Sequence, residues 1–207
     1  TIMAGDKKQS EAALHEQLAT RIRESLLPVD QPFDDAALQK AVSFVLDTAM
    51  SRPAGEPAIA IAEGTDGTRK LRMGIVNDDM PFLVDSISAQ IAAFGLSIDR
   101  LVHPVVHARR ADDGRLVELP GKDSGAPRES MIYLETEHAE AAARKELEAD
   151  LRTTLADVRA SVADWSAMRK AMQQDGQALN DSEGASLLEW LSGGMLTQLG
   201  HIQRYRD

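Results

Sequence analysis

Three carboxylates, Asp78, Asp79 and Asp85, fall where an alternating apolar pattern gives way to a helical one. Carboxylates held close together can serve as acid and base, or hold a cation. Cap chemistry alone also accounts for Asp at these positions, with one aspartate capping the helix that follows and another favouring its N-terminus. A third chemistry is open at the same place. Backbone N–H groups at the helix start can receive a ligand carboxylate while the aspartates pair with the ammonium of an amino acid. Asn77, Asp78, Asp79, Met80, Pro81 and Phe82 are therefore the candidate effector-binding or interface residues.

Other reactive residues lack the context that chemistry needs. His103 and His107 are four apart, but on a strand that spacing separates them by about 13 Å, too far to share one ion. In Gly121-Lys122-Asp123-Ser124-Gly125 the serine stands one place too late for a nucleophile elbow, and the stretch reads as a loop. There is no Gly-x-Gly-x-x-Gly after a strand and no phosphate-binding Gly-x-x-x-x-Gly-Lys-Ser/Thr. The absence of cysteine removes disulfides, thiolate metal sites and cysteine nucleophiles together. No catalytic, cofactor-binding or metal-ligating residue is expected.

The elements that position these residues follow from periodicity. Leu14, Leu18, Ile22 and Leu26 recur at four-residue steps and predict a helix over 10–27 with Ser10 as N-cap, ended by Pro28 and Pro32. Asp34 or Asp35 caps a second helix with the face Leu38, Val42, Val45, Leu46 and Ala49. Together they make a helical hairpin able to pack on the domain or on a partner subunit. Residues 58–62 and 70–76 read as a β-hairpin around a turn at 64–67. Leu83, Ile87, Ile91 and Phe94, widened by Val84 and Ala92, form the stripe of a helix with Pro81 in its first turn and Gly95 after its end.

Residues 97–110 predict one long strand, an edge or a bulged one at Pro104. Asp112-Asp113-Gly114 turns the chain, 116–119 adds a short return strand, 120–128 is a loop and 130–136 is a strand. A helix over 137–155 buries Ala143, Leu147, Leu151 and Leu155, with Glu140–Arg144 and Glu148–Arg152 pairing outside. Residues 158–162 fit either a continuation of that helix or a final strand, and the strand is expected. Further helices follow over 165–174, broken at Asp175-Gly176, and over 182–191, then a strand-like tail over 195–205.

Composition fits this reading. With 207 residues, 43% hydrophobic and 27% charged, the chain is long enough for a core and ordinary for a globular protein. A net charge of -10 argues against nucleic acid and anionic membranes as partners. No run approaches the roughly 18 apolar residues of a membrane span, and residues 1–10 show no secretory h-region. A cytoplasmic protein is expected.

From 71 to 164 the order is strand, helix, strand, strand, helix, strand. This is an α+β fold of the split βαβ kind, a four-stranded antiparallel sheet with two helices on one face. Its other face has to be used or solvated. Several stretches in that order, Val76-Asn77-Asp78-Asp79-Met80-Pro81-Phe82-Leu83-Val84-Asp85-Ser86, Arg100-Leu101-Val102-His103-Pro104-Val105, Glu129-Ser130-Met131-Ile132 and Asp157-Val158-Arg159-Ala160-Ser161-Val162-Ala163-Asp164-Trp165, closely resemble the N-terminal region of the large bacterial NAD-specific glutamate dehydrogenases. A looser resemblance continues through Leu187-Leu188-Glu189-Trp190-Leu191 and Leu199-Gly200.

The resemblance implies an N-terminal fragment of a longer enzyme. It implies an ACT-like (ferredoxin-like) βαββαβ domain over 57–165, a helical extension over 1–56, and a helical linker with the start of another module over 166–207. In that family the catalytic domain lies far downstream, deaminates L-glutamate to 2-oxoglutarate with NAD, works as a homo-oligomer and responds to metabolites. NAD then belongs to the full-length enzyme and not to these residues. Amino-acid-binding ACT domains commonly carry Asp-x-Pro-Gly-x-Leu at the first turn, whereas Phe82 stands here in the glycine's place. A ring there is expected to fill the pocket and to favour assembly over ligand binding. The partners implied are a second copy, downstream domains and an amino-acid effector.

Overall fold

The computed structural model describes residues 2–27, 32–64, 70–195, 198, 200, 202 and 204, with the backbone alone at 2–10 and 194–195. The chain divides into two compact units, Thr1–Leu155 and Ala156–Asp207. Helix α1 (Ile2–Ser25) runs past Ser10, the expected cap. Its side chains Leu14, Leu18 and Ile22 are buried, because a four-residue apolar step marks a face and leaves the start of a helix open. Pro28 and the turn at 65–67 lie outside the described residues.

Helix α2 (Asp35–Ala49) begins as its sequence requires. The Asp34 carboxylate accepts from the Ala37 N–H at 2.7 Å, and the five apolar residues of the expected face are all buried. Strands β1 (Ala58–Glu63) and β2 (Lys70–Asp78) form the expected antiparallel hairpin. Helix α3 (Leu83–Ala93) buries Leu83, Ile87 and Ile91, whereas Ala92 is exposed and does not widen the stripe.

Residues 97–110 do not make one strand. The ring at Pro104 breaks the run into β3 (Ile98–Val102) and β4 (Val105–His107), since proline has no N–H for a ladder. Both pieces pair antiparallel with β7 (Arg128–Glu137), and the Pro104 carbonyl accepts from the Met131 N–H at 3.0 Å. Between them and β7, β5 (Arg109–Arg110) and β6 (Leu116–Glu118) form a two-stranded sheet around the 112–114 turn.

Helix α4 (Ala141–Ala178) corrects two further expectations. It is continuous through 158–162, where a strand was expected, and through Asp175-Gly176, where a break was expected. The five-stranded sheet has the order β1-β2-β7-β3, with β4 beside β7. A βαββαβ chain would lay its last strand beside β2. Here β1, which precedes β2, takes that edge, so the fold is mixed α/β with an antiparallel sheet and a ββαββα order.

Alternation sends the two faces of the sheet to different helices. Val76, Met131, Tyr133, Val102 and Val106 meet α1 and α2 in one cluster. The face expected to stand open is thus covered by the chain's own helical hairpin. Gly74 permits this closeness, because a Cβ there would come within 2.7 Å of Thr48 Oγ1 on α2. Phe33 and Phe44 lie 6.1 and 6.5 Å from the Tyr133 ring, and the guanidiniums of Arg100 and Arg72 sit over them at 4.1 and 4.5 Å, a cation–π arrangement.

Leu71, Met73, Ile75, Ile132 and Leu134 are buried on the other face, where α3 supplies Leu83, Ile87 and Ile91 and the first part of α4 supplies Leu147, Leu151 and Leu155. Each large side chain so buried contributes about 1.5–3 kcal/mol. Gln90 of α3 joins Asp150 and Thr154 of α4 at 3.2 Å. Arg152 pairs with Glu148 as expected, but Arg144 reaches Glu63 of β1 instead of Glu140. In the second unit Asp181 caps α5 (Ser182–Trp190) by accepting from the Glu183 and Gly184 N–H groups. One π-helical turn, Leu191–Met195, follows. Most of the expected tail over 195–205 lies outside the described residues. Among the described residues, no helix is long and apolar enough to cross a membrane.

Candidate functional site

The candidate residues leave the sheet at the end of β2. Asn77 is 1% exposed, and the two aspartates that follow part company. Asp78 lies opposite Glu129 in the ladder, on the face that meets α2. There Arg52 Nη2 donates to Asp78 Oδ1 and to Glu129 Oε1, each at 2.7 Å. Arg110 grips Glu129 with two parallel bonds, Nε to Oε1 at 2.7 Å and Nη2 to Oε2 at 2.8 Å, the strong bidentate geometry of a guanidinium and a carboxylate. Arg52 and Glu129 are 4% and 2% exposed. Burial pushes the Glu129 carboxyl up, but the bonds from Arg110 and Arg52 outweigh it and hold the group below the usual range. Burial likewise works against charge on Arg52, and Glu129 and Asp78 more than compensate.

Local structure places each member. Arg52 follows α2, whose last carbonyls are answered by Arg110 Nη1 donating to the Ala49 oxygen at 2.8 Å. The same nitrogen donates to the Gly114 carbonyl at 2.8 Å, and the Arg52 N–H donates to that carbonyl at 3.1 Å. Gly114 has φ 82°, and a Cβ on it would lie 2.4 Å from the Arg52 carbonyl. Only glycine allows the 112–114 turn to rest against the chain after α2. Beside the cluster is a groove of about 760 Å³ lined by Gly55, Asp78, Arg109, Asp112, Gly125 and neighbouring residues.

Asp79 goes to the other face. Its Oδ1 accepts from the Ser130 hydroxyl at 2.9 Å, its Oδ2 pairs with Arg128 at 2.8 Å, and its N–H donates to the Arg128 carbonyl. His103 Nε2 lies 2.8 Å from Ser130 Oγ. Aspartate, serine and histidine thus meet, but not in the order of hydrolytic catalysis, where the carboxylate orients the imidazole and the imidazole takes the serine proton. Here serine stands in the middle and gives its proton to Asp79, so the imidazole N–H donates to Oγ and cannot act as its base. Ser130 is also 0% exposed. Burial pushes the His103 imidazole below its ordinary value, against a smaller opposing pull from Asp79. His107 Nδ1 donates to the Ala126 carbonyl at 2.8 Å. Among the described residues, no cluster of His, Asp or Glu is placed to hold a metal ion.

Neither aspartate caps α3. The helix starts two residues after Pro81, and its N-cap is Phe82, with φ 70° and no side-chain cap bond. Phe82 is the one non-glycine residue with positive φ among the described residues. A bulky residue in this region is strained by roughly 1–2 kcal/mol. It therefore keeps the left-handed backbone that a glycine would adopt freely. Its ring is 44% exposed, not buried as a plug for the turn. Met80 is half-buried and Pro81 exposed.

Arg52, Arg110 and Glu129 were not visible as a site in the sequence. The one local signal was a lone carboxylate at the head of an apolar strand. The arrangement joins α2, β2, β5 and β7 through charges spent on each other, and binds the fold more than it prepares a reaction.

A family model described as "Glutamate dehydrogenase, ACT1 domain" matches residues 27–151. The chain is 30% identical over 144 residues to an NAD-specific glutamate dehydrogenase of Halomonas elongata, covering 62% of this chain and 9% of that protein. It is 32% identical over 141 residues to one of Pseudomonas aeruginosa, covering 61% and 9%. The aligned segment is thus a small part of each relative. With α2, the whole sheet, the ionic cluster and α3 inside the matched residues, the chain belongs to the glutamate dehydrogenase ACT1 domain family.

Proposed function

We propose that this chain is an N-terminal regulatory and assembly region of an NAD-dependent glutamate dehydrogenase, cytoplasmic and non-catalytic by itself. The full-length enzyme would oxidatively deaminate L-glutamate to 2-oxoglutarate, with NAD held outside these residues. The relatives' names support the parent activity. One observation favours assembly and transmission over chemistry: at the candidate site the charges of Asp78, Asp79, Arg52, Arg110 and Glu129 are bound to one another or to Arg128. An assembly role through the sheet face has lost support, since α1 and α2 cover that face. Sheet edges and helix surfaces are the remaining places for a second copy.

The strained backbone of Phe82 favours a second reading, an amino-acid effector site at residues 77–82, because strain persists where the surroundings impose it. Isothermal titration of the folded chain with a panel of amino acids separates the two. Silence from all of them supports assembly, and heat from one that vanishes on altering Asp79 supports sensing. Light scattering at high concentration tests assembly directly, and a strict monomer counts against it. Glutamate-dependent NADH formation by the 207-residue chain alone would overturn the non-catalytic reading.

A further inference from the structure

The described residues of the unit Ala156–Asp207 hide little apolar surface. Among its described residues Met168 is the only buried hydrophobic, whereas Trp165, Leu179, Leu187 and Trp190 are 39%, 46%, 54% and 56% exposed. Clusters of large apolar side chains in solvent mark interaction sites. On α5 these residues are sorted by side. Leu188 faces α4, where a Cβ on Gly176 would meet its Cβ at 3.4 Å. Leu187 and Trp190, three apart, share an outward stripe. The Asp181 cap fixes the start of this short helix and so holds the stripe in place.

Charge gives the stripe a preference. From 171 to 203 the sequence has no Lys or Arg, while Asp175, Asp181, Glu183 and Glu189 lie around α5. A matching surface would offer an apolar recess rimmed by basic groups, since opposite charges fix register and like charges oppose docking. A second copy of the stripe would set acid against acid. The sheet of Thr1–Leu155 has both faces already covered by its own helices. The relatives, in contrast, are far longer than the part aligned here, which is 9% of each.

We infer that Leu187 and Trp190 of α5 dock into an apolar recess with a basic rim on a domain of the same polypeptide outside residues 1–207. This rests on the reading that the chain is one region of a longer enzyme. The test places the photoreactive residue p-benzoylphenylalanine at position 190 of the full-length protein, with exposed Lys170 as the control position. The expected product is an intrachain cross-link to a peptide outside 1–207, at least about fivefold above the control. A cross-link into 1–155, a product joining light and heavy copies in an isotope mixture, or a yield no greater than the control overturns it.

Trp190→Asp supplies a second measurement. It should leave the thermal midpoint of the 207-residue chain unchanged and lower that of the full-length protein. Equal shifts in both would overturn the inference. A full-length protein that cross-links as expected but forms no NADH from glutamate would sink the enzyme reading and leave the docking intact.

Discussion

Asp78 turns towards the α2 face and joins a knot of buried charge with Arg52, Glu129 and Arg110, while Asp79, one residue on, turns away and joins a relay through Ser130 to His103. Strand alternation separates them although their sequence positions suggest a pair. The knot ties segments far apart in the chain, with Arg52 and Glu129 separated by 77 positions. The relay is open to solvent at Arg128, whose side chain is 61% exposed. Similar carboxylates thus serve different ends: one fastens the helical hairpin to the sheet, and the other orders a turn.

If that contrast is right, the knot should fail hardest. Glu129→Ala leaves Arg52 and Arg110 without their buried partner and should cost about 3–5 kcal/mol in urea unfolding. A loss below about 1 kcal/mol would mean that water already shares the charge. Gly114→Ala should cost about 1–3 kcal/mol through its φ of 82° and its approach to the Arg52 carbonyl. Combined with Glu129→Ala it should add less than its separate value, because both act on Arg52. Full additivity would divide the knot in two.

The relay should yield less. Ser130→Ala is expected to cost about 1 kcal/mol, the net worth of an ordinary hydrogen bond, since Asp79 keeps Arg128. At the turn joining the two regions, Phe82→Gly should be neutral to slightly stabilising, by about 0.5 kcal/mol, as relief of strain offsets the flexibility glycine adds to the unfolded chain. A loss above about 1 kcal/mol would show that the ring packs more than its exposure suggests.

The two regions should also separate along the pH axis. The folded His103 value is depressed, so the unfolded chain binds the proton more readily and stability rises with pH. Its contribution is present above about 6.5 and is lost as pH falls through the folded value. Glu129 is depressed too, and its contribution is present above about 4.3 and is lost at still lower pH. Urea midpoints measured across pH should therefore fall in two steps, and His103→Gln should remove the first while leaving the second. A curve that keeps both steps would place the upper titration elsewhere.

Periodicity made much of the fold legible. Helices α2 and α3, the β1–β2 hairpin and β7 each follow a pattern set by neighbours within a few residues. The failures have the same origin. Val158 and Val162 look like strand residues, yet they continue the 151, 155, 158, 162 spacing of a helix, and α4 keeps them. Gly176 looked like a break but packs against Leu188. The caps divided likewise: Asp34 serves α2 as expected, whereas α3 starts at a strained Phe82 that no rule for caps would select. The ionic knot was out of reach, because its four members are brought together by the fold and not by spacing.

The place of β1 beside β2 has a consequence for synthesis. Every strand of the five-stranded sheet lies between Ala58 and Glu137. A chain emerging from the ribosome N-terminus first therefore presents the complete ladder, with α1 and α2 ready to cover one face, ahead of α4. A chain that kept its edge strand for last would wait with β2 unpaired on one side. This one meets the cell with that side already closed.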